Sequence, residues 1–197
     1  MIREDDHDRA SPSPGSWQAD AVSISIERAD FDDPALAPFL QAHLNDLEPI
    51  SPPESRHALD LGALQAPGVR LWVARAAGTG VLVGTCGLAG LADDHEELKS
   101  MRTDPAYRGR GVARRLLEVI IDDARRRGVR RISLETGSAD FFGAARRLYT
   151  SVGFVECGPF GHYVEDPHST FMTMGLPDTW DVGAATDQHR LPTCQRT

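Results

Sequence analysis

Arginine and glycine are concentrated in one short stretch of this chain, residues 102–115. The stretch contains five arginines and one aspartate, a local charge of +4, although the whole chain of 197 residues has a formal charge of −8. Gly109 and Gly111 lie where a predicted strand gives way to a helix, and glycine lets the backbone approach a ligand closely. Free N–H groups and the helix dipole attract anions there. The pattern therefore predicts a polyphosphate site, to which arginine adds charge-assisted hydrogen bonds.

Two common phosphate-binding motifs do not fit these residues. A Walker A loop requires a Lys-Ser or Lys-Thr pair after its last glycine, and none follows here. A dinucleotide-binding loop requires a third glycine, but Arg114 occupies that position and no early βαβ unit surrounds the loop. ATP and NAD are therefore disfavoured as ligands.

The segment Arg108–Ala113, which reads RGRGVA, fits the pattern [QR]-x-x-G-x-[GA]. This pattern resembles the acyl-CoA pyrophosphate loop of the GNAT superfamily of N-acyltransferases, and the strings TDPAYRGRGVARRLL and AARRLYTSVGF extend the likeness. The resemblance covers about residues 22–176, and SPPESRHALDL, ELKSMRT and SLETG are similar to a small bacterial YsnE-like subgroup. It implies acetyl-CoA as co-substrate, no metal, and direct acetyl transfer to an amine without a covalent enzyme intermediate.

The same resemblance implies an α/β fold of the GNAT acyl-CoA N-acyltransferase type, with a twisted mixed sheet of about seven strands flanked by about four helices. The fourth and fifth strands should part in a V that opens the acetyl slot. In relatives, backbone groups of the fourth strand face the cofactor, here the Met101 N–H toward the acyl oxygen and Thr103 toward the pantetheine chain. The implied cofactor-binding residues are Met101, Arg102, Thr103, Arg108, Gly109, Arg110, Gly111, Val112 and Ala113.

Glu97 is the first of two catalytic residues that the resemblance implies. It lies eleven residues before Arg108, where several GNAT enzymes place a general base that deprotonates the acceptor directly or through water. An ordinary exposed strand carboxylate is the alternative, and Glu96 is adjacent. Strand alternation predicts that Glu97 shares one face with three residues: Lys99, Met101 and Thr103.

Tyr149 is the second implied catalytic residue. It matches the tyrosine that donates a proton or hydrogen bond to the departing CoA sulfur in many relatives, and a phenol with a pKa of ~10 is a reasonable donor to a thiolate. The alternative is an aromatic side chain packed on the helix stripe. Relatives often carry a CoA-contacting Asn seven residues before this tyrosine, but this chain has Phe142, so that contact is not expected.

Three further side chains are candidates for binding the acceptor. Glu135 ends the fifth strand and can act as base or amine anchor, or can be a surface carboxylate. Arg56 and His57, in a Pro-rich loop, can bind an acceptor carboxylate or shuttle a proton, or can simply face solvent. The loop Pro159–Ser169 can form the other wall of this site.

Periodic patterns predict the elements that must position these residues. The helix after the arginine-glycine loop has the clearest pattern and ends at Gly128; its apolar stripe is Val112, Leu116, Val119, Ile120 and Ala124. Asp33 is the predicted N-cap of the first helix. Strands are predicted at residues 21–28, 69–75, 80–91, 95–103, 130–136, 154–158 and 169–176, and helices at 32–47, shortly before 65, from 112 and at 140–153.

Composition predicts one soluble globular domain, since 41% of the residues are hydrophobic and 25% are charged. Residues 1–20 are rich in Asp, Ser and Pro and are predicted to be a disordered tail. Residues 178–197 lack a periodic apolar pattern and are predicted to be a flexible tail. The catalytic domain is therefore expected at residues 21–177.

Several function classes are disfavoured by the same composition. The three cysteines are odd in number and form no C-x-x-C pair, which argues against a disulfide framework or a zinc site. No apolar run reaches the ~18 residues that cross a bilayer, and the N-terminus does not resemble a signal peptide. Net negative charge argues against nucleic-acid binding. We therefore expect a cytoplasmic protein with no membrane or nucleic-acid partner, and a homodimer is left open.

The resemblance and the residues together predict an acetyl-CoA-dependent N-acetyltransferase. The acceptor would be a primary amine of a small molecule, an amino acid or a peptide. Two alternatives remain open at this point, a non-catalytic acyl-CoA-binding regulatory module and a protein lysine or N-terminal acetyltransferase.

Overall fold

A computed structural model describes residues 23–50, 52 and 59–177 of this chain. These ranges contain seven strands and four α-helices, which confirms the predicted α/β class. The strands are β1 Ile24–Arg28, β2 Val69–Ala76, β3 Leu82–Ala92, β4 His95–Thr103, β5 Arg131–Gly137, β6 Val155–Cys157 and β7 Ser169–Gly175. The helices are α1 Leu36–Leu47, α2 Leu61–Leu64, α3 Val112–Arg126 and α4 Gly143–Ser151.

All seven strands form one mixed sheet in the order β1-β2-β3-β4-β5-β7-β6. The strands β1 to β4 pair antiparallel in sequence, and β7 inserts antiparallel between β5 and β6. The pairing of β4 with β5 is the parallel one, and it joins only three residues of each strand, His95–Glu97 and 131–133. Beyond Glu97 the two strands separate, as the resemblance implied.

Hydrogen bonds between side chains hold the closed end of this split together. His95 Nε2 lies 2.8 Å from Ser133 Oγ, and Ser133 Oγ lies 2.9 Å from Thr173 Oγ1. The three residues belong to β4, β5 and β7, so the chain of contacts crosses the split where the strands are still paired. The opening therefore begins at a defined point of the sheet.

Each face of the sheet is covered by helices over a separate apolar cluster. The larger cluster lies under α3, whose buried side chains are Val112, Leu116, Leu117, Ile120, Ile121 and Ala124. Val119, placed in the stripe by the sequence, is only partly buried. Burial of one such aliphatic side chain stabilises the fold by about 2 kcal/mol, so this stripe fixes the position of α3 and of the loop before it. A second cluster packs α1 and α2 on the opposite face around Leu36, Phe39, Leu40, Leu64, Leu71, Val73 and Leu82.

β4 contains a β-bulge at Ser100, which strand alternation did not predict. Lys99 pairs with Gly87 of β3, and Arg102 pairs with Thr85, so two residues of β4 stand opposite one residue of β3. Ser100 accordingly has a φ of +50°. The bulge reverses the inward and outward alternation of the residues that follow it.

The predicted common face of β4 is therefore wrong beyond the bulge. Directly paired residues of antiparallel strands share a face. Glu97 and Lys99 therefore share their face with Arg102, whereas Thr103 pairs with Gly84 on the face covered by α3.

The start of α1 also differs from the prediction. The N-cap position is Ala35, which has no capping side chain, so Asp33 is not the N-cap. Asp33 instead accepts a hydrogen bond from the Ala35 N–H at 2.9 Å and forms an ion pair with Arg75 of β2. The aspartate ties the helix start to the sheet rather than capping the first turn.

Candidate active site

The loop between β4 and α3 is shaped by one capped turn and two glycines. The Asp104 side chain accepts the Ala106 N–H at 2.8 Å and starts a short 3-10 turn, Pro105–Tyr107. Gly109 and Gly111 then adopt φ values of +73° and +81°, which side-chain-bearing residues rarely adopt. A Cβ built on either glycine would meet no atom within 4 Å, so both face open space. The loop therefore presents an exposed backbone surface at both glycines.

The N-terminus of α3 opens onto this surface without a capping side chain. Gly111 is the N-cap residue, and no side chain accepts the first N–H groups of the helix. Uncapped donors combined with the helix dipole form an anion site, and exposed Arg108 and Arg110 add positive charge. The loop thus has the backbone and the charge that a pyrophosphate requires.

A cleft of about 510 Å³ extends from this loop along the end of β4 to α4. Of the predicted cofactor-binding residues, Arg110 is not among those that line it, and its guanidinium lies 5.5 Å from the Tyr107 ring centroid. The predicted residues that do line the cleft are Met101, Arg102, Thr103, Arg108, Gly109, Gly111, Val112, Ala113 and Tyr149. These predicted residues, which are separated by up to 48 positions in the sequence, therefore meet around one cavity.

Tyr149 lies at the inner wall of the cleft and is only 5% exposed. Its ring packs edge-on against Phe154 at 5.9 Å between centroids. Burial, reinforced by the nearby Cys86 and Glu135, raises the pKa of Tyr149 well above its usual value. The phenol therefore stays protonated at neutral pH and is available as a hydrogen-bond donor.

Phe142 replaces the expected asparagine and packs on β5 instead. A Cβ at Gly137 would come within 2.2 Å of the Phe142 ring, so the glycine at the end of β5 makes room for the phenyl group. Phe141 stacks edge-on against Phe142 at 5.1 Å and is 54% exposed. Both rings line the cleft, which makes its α4 side apolar.

The helix α1 supplies a wall that the sequence did not predict, with His43, Asp46 and Leu47. Asp46 forms an ion pair with Arg102 at 2.8 Å, and the Arg102 guanidinium lies 4.8 Å from the ring centroid of Phe39. Burial, followed by the charge of Arg102 and opposed by Asp46, lowers the pKa of His43 from 6.5 to about 4. The amphipathic pattern of α1 gave no signal that its last turn would reach the cleft.

Glu97 lies at the point where β4 and β5 separate, which we call the fork. Its side chain there is only 7% exposed. Its Oε1 accepts the Tyr163 hydroxyl at 2.6 Å and lies 2.8 Å from the Lys99 ammonium. It is thus not the ordinary exposed strand carboxylate of the alternative interpretation. Tyr163 belongs to the predicted wall loop, but no motif singled it out.

Glu135 is a second carboxylate near the fork. It lies on β5 two residues beyond Ser133, the last residue of β5 that pairs with β4. Ser169 donates its hydroxyl to Glu135 Oε1 at 2.7 Å. Burial raises the pKa of Glu135 above its usual value, although the Ser169 hydrogen bond and the Lys99 charge oppose the shift. Glu135 is therefore a stronger base than an ordinary surface carboxylate.

The remaining predictions concern residues that do not line this cleft. Glu97 and Glu135 lie at the fork rather than among its lining residues. Arg56 and His57 lie outside the described residues, so their predicted role stays a prediction.

The described ranges contain no group of three or more His, Cys, Asp or Glu side chains that could hold a metal ion. Nor, in the same part of the chain, does any helix have the length and apolarity to cross a bilayer.

Comparison with known proteins agrees with this architecture. The family model described as "Acetyltransferase (GNAT) family" matches residues 36–154. The chain is 47% identical to the uncharacterized N-acetyltransferase YsnE of Bacillus subtilis over 135 residues, which cover 68% of this chain and 87% of YsnE. It is 41% identical to the uncharacterized N-acetyltransferase YedL of Escherichia coli, covering 78% of this chain and 95% of YedL.

A solved structure shows the same fold at low sequence identity. The crystal structure of an acetyltransferase of the GNAT family from Staphylococcus aureus superposes with a TM-score of 0.63. The match covers 79% of this chain and all of the other, at 22% identity. The chain therefore belongs to the GNAT family of acetyltransferases, with a sequence similar to those of YsnE and YedL.

Proposed function

We propose that this protein transfers an acetyl group from acetyl-CoA to a primary amine of a small molecule, an amino acid or a peptide, by direct attack. The observation that carries the proposal is the single cleft that joins the glycine loop of α3 to Met101–Thr103 and to Tyr149. The anion-binding end and the candidate leaving-group donor thus belong to one elongated site. An elongated thioester that ends in a pyrophosphate fits this arrangement.

The loop would hold the pyrophosphate of the donor. The backbone N–H groups after Gly109 and Gly111 supply donors, and the glycines allow close approach because no side chain projects into the space before them. Arg108 adds charge at the cleft wall. The residues present therefore fit acetyl-CoA at this end.

The end of β4 would hold the pantetheine chain and the acyl group. Since β4 and β5 pair only as far as Glu97, the edge of β4 beyond this residue is available to a ligand. Met101 would direct its N–H to the acyl oxygen and stabilise the charge that develops there. The buried Thr103 hydroxyl has no hydrogen-bond partner among the described residues, as expected where a ligand completes the contacts.

Tyr149 would stabilise the departing thiolate. Because its pKa is raised, the phenol is a hydrogen-bond donor more than a strong acid, so it would lower the energy of the thiolate as the carbon–sulfur bond breaks. The packing against Phe154 would fix the direction of that hydrogen bond.

Glu97 and Glu135 would receive the proton of the acceptor ammonium. Once deprotonated, the amine nitrogen forms a bond to the thioester carbon, the carbon–sulfur bond breaks, and the CoA sulfur acquires a proton to leave as the free thiol. Glu97 is the proposed base because it lies at the fork, and Glu135 is the proposed anchor or second base on the facing strand. Arg56 and His57 remain proposed acceptor contacts on the other side.

We further propose that residues 21–177 make up the catalytic domain and that residues 1–20 and 178–197 are tails. Residues 1–20 and 178–197 lie outside the described residues, and the buried core that the structure describes extends from Ile24 to Leu176.

A turnover screen tests the proposed function. Release of CoA thiol from acetyl-CoA would be followed with panels of small amines, amino acids, peptides with a free N-terminus and lysine peptides, and the acetylated product identified by mass. We expect amine-dependent thiol release with at least one class. Stabilisation by acetyl-CoA without turnover in any panel would favour the regulatory module. Preference for peptides over small amines would favour the protein acetyltransferase.

A further inference from the structure

Three polar side chains form a closed triangle at the fork of the sheet. The Lys99 ammonium donates to the Tyr163 hydroxyl oxygen at 2.7 Å, and Tyr163 donates to Glu97 Oε1 at 2.6 Å. The third side of the triangle is the ion pair between Lys99 and Glu97 at 2.8 Å. The side chains of the charged pair are only 12% and 7% exposed, so these contacts are weakly screened by water.

Tyr163 is held in this position independently of its hydroxyl group. Its ring lies 5.1 Å from Phe160 and 5.4 Å from Phe171, measured between centroids, and its backbone N–H donates to the Phe160 carbonyl at 3.0 Å. Phe160 and Phe171 are themselves buried. The loop between β6 and β7 is therefore anchored by aromatic packing, which delivers the phenol oxygen to β4.

The hydroxyl of Tyr163 can only act as a donor toward Glu97. Burial, followed by the charge of Glu97, raises the pKa of Tyr163 far above its usual value, so the phenol is neutral at all pH values at which the protein would work. A neutral phenol has one proton to donate, and the geometry directs it to the carboxylate. The oxygen lone pairs remain available for the Lys99 ammonium.

We propose that Tyr163 is a positioning residue that holds the Glu97 carboxylate in the orientation required for its role as base. The proposal rests on the proposed function, since it concerns the proton acceptor of the transfer step. It assigns the loop between β6 and β7 a part in catalysis, because the base is tied to that loop as well as to its own strand. A hydrogen bond to an ionised group is stronger than one between neutral groups.

Charged and polar groups face Glu97 from more than one element of the described chain. Lys99 faces it from the same strand and Tyr163 from the loop. Glu135 faces it from β5, with Asp166 of the loop near Glu135 in turn. Loss of the Tyr163 hydroxyl would remove the hydrogen bond that ties Glu97 to the loop, so the orientation of the carboxylate should become less well defined.

The substitution Tyr163→Phe tests the proposal because it keeps the ring contacts and removes only the hydroxyl. With the best acceptor from the screen, we expect kcat at neutral pH to fall by about tenfold, while the KM for acetyl-CoA stays unchanged. Val81→Ser is the control, since Val81 lies in the turn between β2 and β3, outside the candidate site, and is 52% exposed. It should behave as wild type.

A double-mutant measurement separates a positioning role from a general loss of structure. In the Glu97→Gln background, Tyr163→Phe should cause little further loss of kcat, because a positioning residue acts only through the group that it positions. An active wild type with unchanged kcat in Tyr163→Phe, or an equal further loss of kcat in the Glu97→Gln background, would overturn the proposal alone. An inactive wild type would overturn the proposed function and the catalytic role of Tyr163 with it.

Discussion

Glu96 and Glu97 are consecutive in β4, yet their carboxylates lie on opposite faces of the sheet. Arg127, which follows α3, binds Glu96 through two nitrogen atoms at 2.5 and 2.6 Å, whereas Glu97 meets Tyr163 on the other face. The bidentate ion pair occupies both oxygens of Glu96. Glu96 therefore has a structural role, and Glu97 is the carboxylate of the two that is directed toward the fork.

The Glu96–Arg127 pair predicts a large loss of stability on removal of its cation. Glu96 is only 7% exposed, so Arg127→Met would leave a buried carboxylate unpaired and should lower the free energy of unfolding by about 3 kcal/mol. Arg126→Met is the control, because the Arg126–Asp122 pair is 67% and 61% exposed and should contribute less than ~0.5 kcal/mol. Urea unfolding measures both, and equal losses would contradict the structural role of Glu96.

Local patterns predicted most of the fold and the anion loop. The apolar stripe of α3, the alternation in the strands and the glycine positions before Val112 each act within a few residues, so a single sequence reveals them. The bulge at Ser100 was missed because register depends on the partner strand β3.

Contacts between distant segments could not be predicted in the same way. The Tyr163–Glu97 hydrogen bond joins residues 66 positions apart, and the ion pair between Asp46 of α1 and Arg102 joins residues 56 positions apart. Such pairings depend on the packed sheet rather than on any local pattern. The role of Glu97 as base was implied by family resemblance and stays a proposal.

The exposed backbone of the glycine loop predicts that a carboxylate introduced at Gly111 prevents the binding of acetyl-CoA. Acetyl-CoA at about one hundred times its Kd should raise the Tm of wild type by roughly 5–10 °C, and Gly111→Glu should abolish the shift by placing charge and bulk in the cradle. Gly128→Glu is a close control, because Gly128 has a φ of +80° against +81° at Gly111 and also faces open space. It carries the same backbone strain at the other end of α3. A full shift in Gly111→Glu would refute the cradle.

Tyr149→Phe should separate leaving-group stabilisation from packing. The variant keeps the ring contact with Phe154 and loses the donor, so kcat and kcat/KM should both fall by ~10²-fold while the Kd for CoA changes little. Initial-rate assays measure kcat and kcat/KM, and calorimetry measures the Kd for CoA. Full activity of Tyr149→Phe with the true acceptor would show that this residue only packs.

The lowered pKa of His43 predicts that the free energy of unfolding decreases at acidic pH. Its pKa is about 4 in the folded protein against 6.5 in a free side chain, so the folded state favours the neutral imidazole. The stability this difference contributes is complete above pH 6.5 and is lost as the pH falls toward 4, by about 3 kcal/mol in all. Unfolding free energies measured across this window should fall less steeply in His43→Gln than in wild type. Parallel curves for wild type and His43→Gln would contradict the burial of His43.

The division of labour between Glu97 and Glu135 predicts two different kinetic defects. If Glu97 takes the proton, Glu97→Gln should lower kcat by ~10²-fold at neutral pH and recover part of the rate toward pH 9, where more of the acceptor amine is already deprotonated. If Glu135 anchors the acceptor ammonium, Glu135→Gln should chiefly raise the KM for the acceptor, and the amide oxygen would still accept the Ser169 hydroxyl. The pH–rate profiles of both variants with one acceptor measure these effects. Alkaline recovery in Glu135→Gln and its absence in Glu97→Gln would exchange the two roles, because rescue by a deprotonated amine identifies the residue that normally removes the proton.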